Sequence, residues 1–285
     1  MRITILTLGI TGMLGHTLFQ KLTYNINFTT YGTTRKALPS SVQRSLIYEN
    51  IQANNLENIA NIISTLKPKF VINCIGIIKQ LPSAKDSIPT ISINALFPHQ
   101  LAQICLQHNV KLIQISTDCV FSGNKGNYTE QDNPDPIDLY GRTKLLGEVT
   151  YNNCLTLRTS IIGRELSSQN GLVEWFISQK GKTVKGYDRA IYTGLTTQAL
   201  AQIIEKIILE HPSLSGLWHV SSEPITKYQL LNIINETFHL KITIERDQTF
   251  ICNRSLNSDR FRQHTGFILP TWESMITELY QTSHP

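Results

Sequence analysis

The chain has 285 residues, 41% of them hydrophobic, and a formal net charge of +5. That size suits one large α/β domain or a nucleotide domain with a smaller lobe, and the mild, spread charge excludes the dense basic stripes of a nucleic-acid binder while tolerating a polyanionic small ligand. No apolar run approaches the ~18 residues of a membrane span, and five cysteines without a CxxC (Cys74, Cys105, Cys119, Cys154 and Cys252) point to reduced thiols in a cytoplasmic protein, with neither a disulfide framework nor a metal site.

A strand is expected at 3–8. The segment "MRITILTLGITGMLG" is apolar, but it lacks a basic leader and a small-x-small cleavage site, so it reads as a buried first strand rather than a signal peptide. "LGITGMLGHTLF" then opens a helix at 12–24, with Gly9, Gly12 and Gly15 spaced GxxGxxG. Such glycines permit a tight turn, let backbone approach a pyrophosphate and let helix pack on strand, and the helix N-terminus offers free N–H groups to phosphate. A tight turn without a ligand is the bland alternative.

The second strand, 27–31, runs into "TTYGTTRKAL". No acid stands between Phe28 and Leu46; Thr33, Thr34 and Arg35 do, with Lys36 and Arg44 nearby. A guanidinium with hydroxyls suits a 2′-phosphate and favours NADP over NAD, against the alternative of a solvated basic loop.

Strands follow at 45–48, 69–74, 111–116 and 154–159, and helices at 55–66, 88–108 and 138–150. "KFVINCIG" and "VKLIQIST" are nearly continuous apolar runs, as in strands buried on both faces. The alternation implies an α/β fold with a Rossmann-type doubly wound parallel sheet and right-handed crossovers. After residue 160 the pattern loosens, with helices expected at 170–180, 196–210, 226–238 and 271–281 and short strands at 217–220 and 241–245. The expected division is 1–160 for the NADP-binding domain and 161–285 for a mainly substrate-binding lobe, with interleaved boundaries punctuated by Gly163, Gly171, Gly181, Gly186 and Gly194. Lys180, Lys182, Lys185 and Arg189, with Arg254, Arg260 and Arg262, could meet a pyrophosphate or form a solvated surface with equal weight. Trp175, Tyr187 and Tyr192 are expected in the core before a nucleobase stack.

In "DLYGRTKLLGE", Tyr140 and Lys144 stand four apart, hence on one helix face about 6 Å from each other. Beside a dinucleotide, Lys144 would hold the nicotinamide ribose and favour ionisation of Tyr140, which would protonate a carbonyl as hydride arrives. "QISTDCVFSG" places Thr117 at a strand end, where its hydroxyl would bond the same carbonyl. Each feature alone has a bland reading; the order glycine turn, Thr117, Tyr140xxxLys144 is far more specific.

With these pieces the sequence resembles the extended short-chain dehydrogenase/reductases, and within them dTDP-4-dehydrorhamnose reductases and related nucleotide-sugar reductases. The matching segments are "GITGMLG", "VINCIG", "INALFPHQLA", "ISTDCVFSG", "YGRTKLLGE", "LRTSIIG" and "NRSLNSDRF", spread over almost the whole chain. The resemblance implies NADPH-dependent reduction of the 4-keto group of a deoxy-sugar nucleotide for polysaccharide precursors. It makes Thr117, Tyr140 and Lys144 the catalytic triad. It places Gly9, Thr11, Gly12, Met13, Leu14 and Gly15 at the pyrophosphate, Arg35 at the 2′-phosphate, and Asn50 and Ile51 beside adenine. Cys74, Ile75 and Gly76 would line the cofactor path, with Asn94 bracing the site from the long helix. Thr117, Asp118, Cys119, Tyr140, Ile161 and Arg254 would meet the substrate. A homodimer is compatible with such a protein; nucleic acid and membrane are not expected partners.

Three departures stand out, the first two at positions that face the sugar in that family. Cys119 stands where the family has tyrosine, Ile161 where it has tryptophan, and Asn253-Arg254-Ser255 replaces an Arg-Pro segment. Cys119 after Asp118 also lacks the glutamate that a 4,6-dehydratase needs. A nucleotide-sugar 4-epimerase and a non-catalytic NADP-binding regulator remain as alternatives.

Overall fold

A computed structural model describes residues 2–38, 46–166 and 168–283. In chain order the elements are β1 (Ile3–Leu8), α1 (Met13–Tyr24), β2 (Phe28–Thr33), β3 (Ile47–Tyr48), α2 (Leu56–Leu66), β4 (Phe70–Asn73), α3 (Ser87–Ile91), α4 (Phe97–Gln107), β5 (Lys111–Thr117), α5 (Leu139–Leu146) and β6 (Cys154–Thr159). There follow β7 (Ile161–Ile162), α6 (Leu172–Ile177), β8 (Thr183–Tyr192), β9 (Leu195–Thr196), α7 (Thr197–Glu210), β10 (Gly216–His219), β11 (Ile225–Thr226), α8 (Lys227–Thr237), β12 (Thr243–Asn253), α9 (Asp259–Thr265) and α10 (Trp272–Ser283). The chain divides into two compact units, one of Met1–Ser116, Asp138–Leu157 and Ala201–Leu217, the other of Thr117–Ile137, Arg158–Leu200 and Trp218–Pro285.

A seven-stranded sheet runs in the order β10-β6-β5-β4-β1-β2-β3, and every pairing from β3 across to β5 is parallel. The expected α/β, doubly wound class is therefore the observed one. Strands here are buried on both faces, with Phe70, Val71, Ile72 and Asn73 of β4 all inside. Helix α2 shows how the layers form. Asn55 caps it by accepting from the Asn58 N–H at 3.1 Å, and Ile59, Ile62 and Ile63, at helical spacing, enter the core beside Leu101 and Leu112.

The helix expected at 88–108 is interrupted. Residues Ser92–Leu96 form a π turn between α3 and α4. Pro98 has no N–H to give the Asn94 carbonyl, so the regular i→i−4 ladder fails there. That carbonyl faces Gly147 instead: a Cβ on Gly147 would lie 1.9 Å from it. The same contact ends α5 at Leu146, short of the expected residue 150, because Gly147 is the C-cap.

In the second unit, β8 lies between β11, antiparallel to it, and β12, parallel to it. The register of β8 and β12 breaks between Asp247 and Ile251. Neither the ten residues of β8 nor the full length of β12 was expected from the sequence, and nor was α9. Gly186 is not a breaker: it lies within β8, where a Cβ would meet Tyr228 and Ile244 at 2.6 and 2.7 Å. Helix α8 opens with a reciprocal capping box between Thr226 and Gln229.

Candidate active site

The turn from β1 into α1 is built by glycine. Gly9 has φ +81°, a conformation that disfavours any Cβ, and the Gly15 position is closer still: a Cβ there would lie 2.1 Å from the Gly9 carbonyl oxygen. Gly12 caps α1 with no side chain bonded to the first-turn N–H groups, and that turn holds no acid. Thr11 and Gly12 are exposed, Met13 is half-buried, and Leu14 is buried. A helix start with no side-chain cap beside an exposed glycine leaves backbone N–H groups for an anion, so these residues fit a dinucleotide pyrophosphate.

The ends of β2 and β3 are tied to this turn. The Gly9 N–H donates to Thr33 Oγ1 at 3.2 Å, the Thr34 N–H to the Tyr48 carbonyl at 2.9 Å, and the Ile51 N–H to the Thr34 carbonyl at 2.9 Å. Arg35 and Lys36 project exposed from the same end. Asn50 is exposed in the left-handed region, φ 60°, at the edge of a cavity of about 540 Å³. Arg44 lies outside the described residues.

After β4, Cys74 and Ile75 are half-buried and Gly76 is exposed. Asn94, fully buried on the π turn, uses both ends of its amide on one residue: Nδ2 donates to the Ile77 carbonyl and Oδ1 accepts from the Ile77 N–H, each at 2.9 Å. It thus fixes the loop that carries Cys74 to Gly76. Burial pushes the Cys74 thiol up to about 12, opposed by the positive charge of Lys144.

Asp138 opens α5 by accepting from the Gly141 N–H at 2.8 Å, and Lys79 pairs with its carboxylate at 2.7 Å. Tyr140 is half-buried in the first turn. One turn later Lys144 is buried, and its Nζ donates to the Ile115 carbonyl on β5 at 2.7 Å. Burial lowers the Lys144 ammonium to about 8, with Glu148 and Cys74 acting in the opposite direction. The phenol and the ammonium expected on one helix face are therefore both in the first unit, and the ammonium is aimed at the end of β5. Glu148 was not singled out in the sequence. Its carboxylate accepts from the Ser116 hydroxyl at 2.6 Å, and the signal for it was its place four residues after Lys144.

The second unit begins with Thr117, the last residue of β5. Its hydroxyl accepts from the Cys119 N–H and donates to Asp118 Oδ1, each at 3.1 Å. Asp118 is buried, and desolvation raises its carboxyl above the usual range while Arg254 acts to lower it. Arg254 Nε donates to the Phe121 carbonyl at 2.9 Å and Nη1 reaches Cys119 Sγ at 3.6 Å. Thr117, Asp118 and Cys119 from one segment and Arg254 from another thus form one cluster. Ile161 is half-buried on β7, in register with Leu195 of β9. The other cations are largely engaged locally: Lys185 with Asp247, Arg260 with Glu130, and Arg262 with Glu223 and Asp259. Tyr192 is buried against Trp272, Tyr187 packs beside Phe250, and Trp175 is partly exposed.

A family model described as RmlD substrate binding domain matches residues 1–284. The chain is 29% identical over 252 residues, 83% of its length and 72% of the relative's, to methionine adenosyltransferase 2 subunit beta of Mus musculus. It is 28% identical over 195 residues, 65% of its length and 66% of the relative's, to dTDP-4-dehydrorhamnose reductase of Aggregatibacter actinomycetemcomitans. Its fold is similar to the crystal structure of dTDP-4-dehydrorhamnose reductase from Bacillus anthracis in complex with NADP, with a TM-score of 0.84 at 23% identity, covering 99% of this chain and 100% of that one. No helix among the described residues is long and apolar enough to cross a membrane.

Proposed function

The chain belongs to the RmlD substrate binding domain family, and from that membership we propose that it uses NADPH to reduce the 4-keto group of a deoxy-sugar nucleotide, in the manner of dTDP-4-dehydrorhamnose reductase. The observation that carries this reading is Lys144, a buried ammonium held by the Ile115 carbonyl one helical turn after Tyr140. An internal core has no need of an ammonium there, and burying one is costly unless its charge is used.

NADPH, when bound, supplies the hydride that arrives at the carbonyl carbon. Tyr140 gives its phenolic proton to the carbonyl oxygen, a positioned acid of the kind that accelerates such reactions roughly 10²–10⁴-fold. Lys144 keeps positive charge beside that phenol and holds the nicotinamide ribose. Thr117 is the third residue that the family resemblance assigns to catalysis. Gly9, Thr11, Gly12, Met13, Leu14 and Gly15 take the pyrophosphate and Arg35 the 2′-phosphate, while Asn50 and Ile51 flank adenine. Cys74, Ile75, Gly76 and Asn94 shape the cofactor path. Asp118, Cys119, Ile161 and Arg254 read the sugar nucleotide. On this reading residues 1–160 chiefly bind cofactor and 161–285 chiefly bind substrate, and the protein works in the cytoplasm, where a homodimer is compatible with it.

A second reading is a regulatory subunit that binds NADP without turning it over. It is supported by the similarity to the methionine adenosyltransferase subunits, which extends over more of this chain than that to the reductase. Absorbance at 340 nm on mixing protein, NADPH and a dTDP-4-keto-6-deoxy sugar separates the readings. Sustained loss of NADPH identifies the reductase, isomerisation without net loss a 4-epimerase, and binding with neither the regulatory subunit.

A further inference from the structure

Two neighbouring groups at the end of β5 are gripped by two residues four apart in sequence. The Ile115 carbonyl accepts from Lys144 Nζ at 2.7 Å, and the Ser116 hydroxyl donates to Glu148 Oε1 at 2.6 Å. Glu148 follows the C-cap of α5, with its N–H on the Leu145 carbonyl at 3.1 Å, so its backbone is fixed as well. The hydrogen bond from Ser116 keeps the carboxylate at the strand end that Lys144 also addresses.

Lys144 sits in a setting that works against its charge. Burial is the largest influence on it and drives it towards the neutral amine. Cys74, beyond β4, acts to keep the proton on Lys144, by less than Glu148 does. Tyr140 stands a turn earlier on the same helix. His99 of α4 is occupied by the Leu146 carbonyl at 2.7 Å and the Tyr151 hydroxyl at 2.9 Å. Asp138, at the start of α5, has Lys79 as its counter-ion. Of the groups that act to keep the proton on Lys144, Glu148 has the largest effect.

We propose that Glu148, oriented by the Ser116 hydroxyl, is a positioning residue of the site, whose carboxylate keeps Lys144 in its ammonium form and aimed at the end of β5. The role of the ammonium itself rests on the reductase reading; the electrostatic relation between Glu148 and Lys144 does not. A purely structural Glu148 would serve as a strap between strand and helix. The two roles part at Glu148→Gln, which preserves the shape and an oxygen that can accept from Ser116 but removes the charge.

The test is an NMR titration of the full-length protein carrying ¹³Cε-labelled lysine, with the Lys144 resonance assigned by its loss in Lys144→Met. In Glu148→Gln the Lys144 midpoint falls by about one pH unit, a roughly tenfold loss of ammonium at pH values above it. Ser116→Ala, which keeps the carboxylate but releases it, shifts the midpoint the same way by less, and decides the matter if Glu148→Gln does not fold. A Lys144 midpoint equal to that of the parent in each variant that folds overturns the proposal. This titration needs neither cofactor nor sugar. Absent turnover in the parent with the shift intact therefore counts against the reductase reading alone; where turnover is present, the alkaline limb of kcat/KM moves down with the NMR midpoint.

Discussion

The α5–β5 neighbourhood of the first unit and the β8–β12 sheet of the second use charge in different ways. In the first, Lys144 is buried, carries its charge into the interior and is held by a backbone carbonyl. In the second, the exposed side chains of Lys185 and Arg246 each stand beside a largely buried aspartate, Asp247 and Asp188. A cation with its head in water contributes little through such a pair and needs no special surroundings. A buried ammonium needs the Ile115 carbonyl, a nearby anion and a fixed helix, so its neighbourhood is constrained residue by residue. The first region should therefore answer substitution with loss of rate or cofactor binding, and the surface cations of the second with little change.

The sharpest break in that contrast would come from Tyr140→Phe. Turnover should fall by roughly 10²-fold or more while NADPH binding stays nearly the same, as read by steady-state kinetics and fluorescence titration. A rate within a few-fold of the parent would reduce Tyr140 to a structural residue. Next in size, Arg35→Ala should weaken NADPH by roughly tenfold or more and leave NADH almost untouched, because only NADPH offers a 2′-phosphate. Equal dissociation constants for the two cofactors in the parent would remove that assignment.

A smaller effect concerns pH. Lys144 is an ammonium below about 8 and loses its proton above it. NADPH affinity should accordingly hold on the acid side and weaken by about several-fold as pH rises through that value, since a charged hydrogen bond is lost. Lys144→Met should bind NADPH weakly with a flat profile over the same range; a slope unchanged by Lys144→Met would assign it to another group. The smallest change in rate, and the one that belongs to the second unit, is expected from Cys119→Tyr with Ile161→Trp. This pair restores two hydrogen-bonding aromatics and should lower activity on the natural substrate while raising it on dTDP-4-keto-rhamnose. An unchanged substrate ranking would show that neither position reads the sugar.

How much was legible in the sequence follows the same division. Strands β1 and β6 fall where their apolar runs end, and the Gly9–Gly15 turn was readable because close backbone packing admits only glycine there. The π turn was not readable, since it depends on Pro98 releasing the Asn94 carbonyl and on Gly147 approaching it from a distant segment. Strand β8 was hidden by Gly181 and Gly186, which look like breakers; Gly186 is where Tyr228 and Ile244 fill the space of a side chain. Tyr140 and Lys144 were visible through their spacing, and the burial and hydrogen-bond partner of Lys144 were not. Glu148 escaped because an i,i+4 Lys-Glu pair is common on helix surfaces, and only the bond from Ser116 distinguishes this one.

The most direct measurement follows the hydride itself. The protein is incubated with NADPH deuterated at nicotinamide C4 and a dTDP-4-keto-6-deoxy sugar, and the sugar product is examined by mass spectrometry and NMR. A reductase built on Tyr140 and Lys144 places one deuterium on C4 of each sugar reduced, and Tyr140→Phe slows its appearance roughly 10²-fold. NADPH bound at saturation with no deuterium in the sugar, and the ketone recovered unchanged, would contradict the reductase assignment.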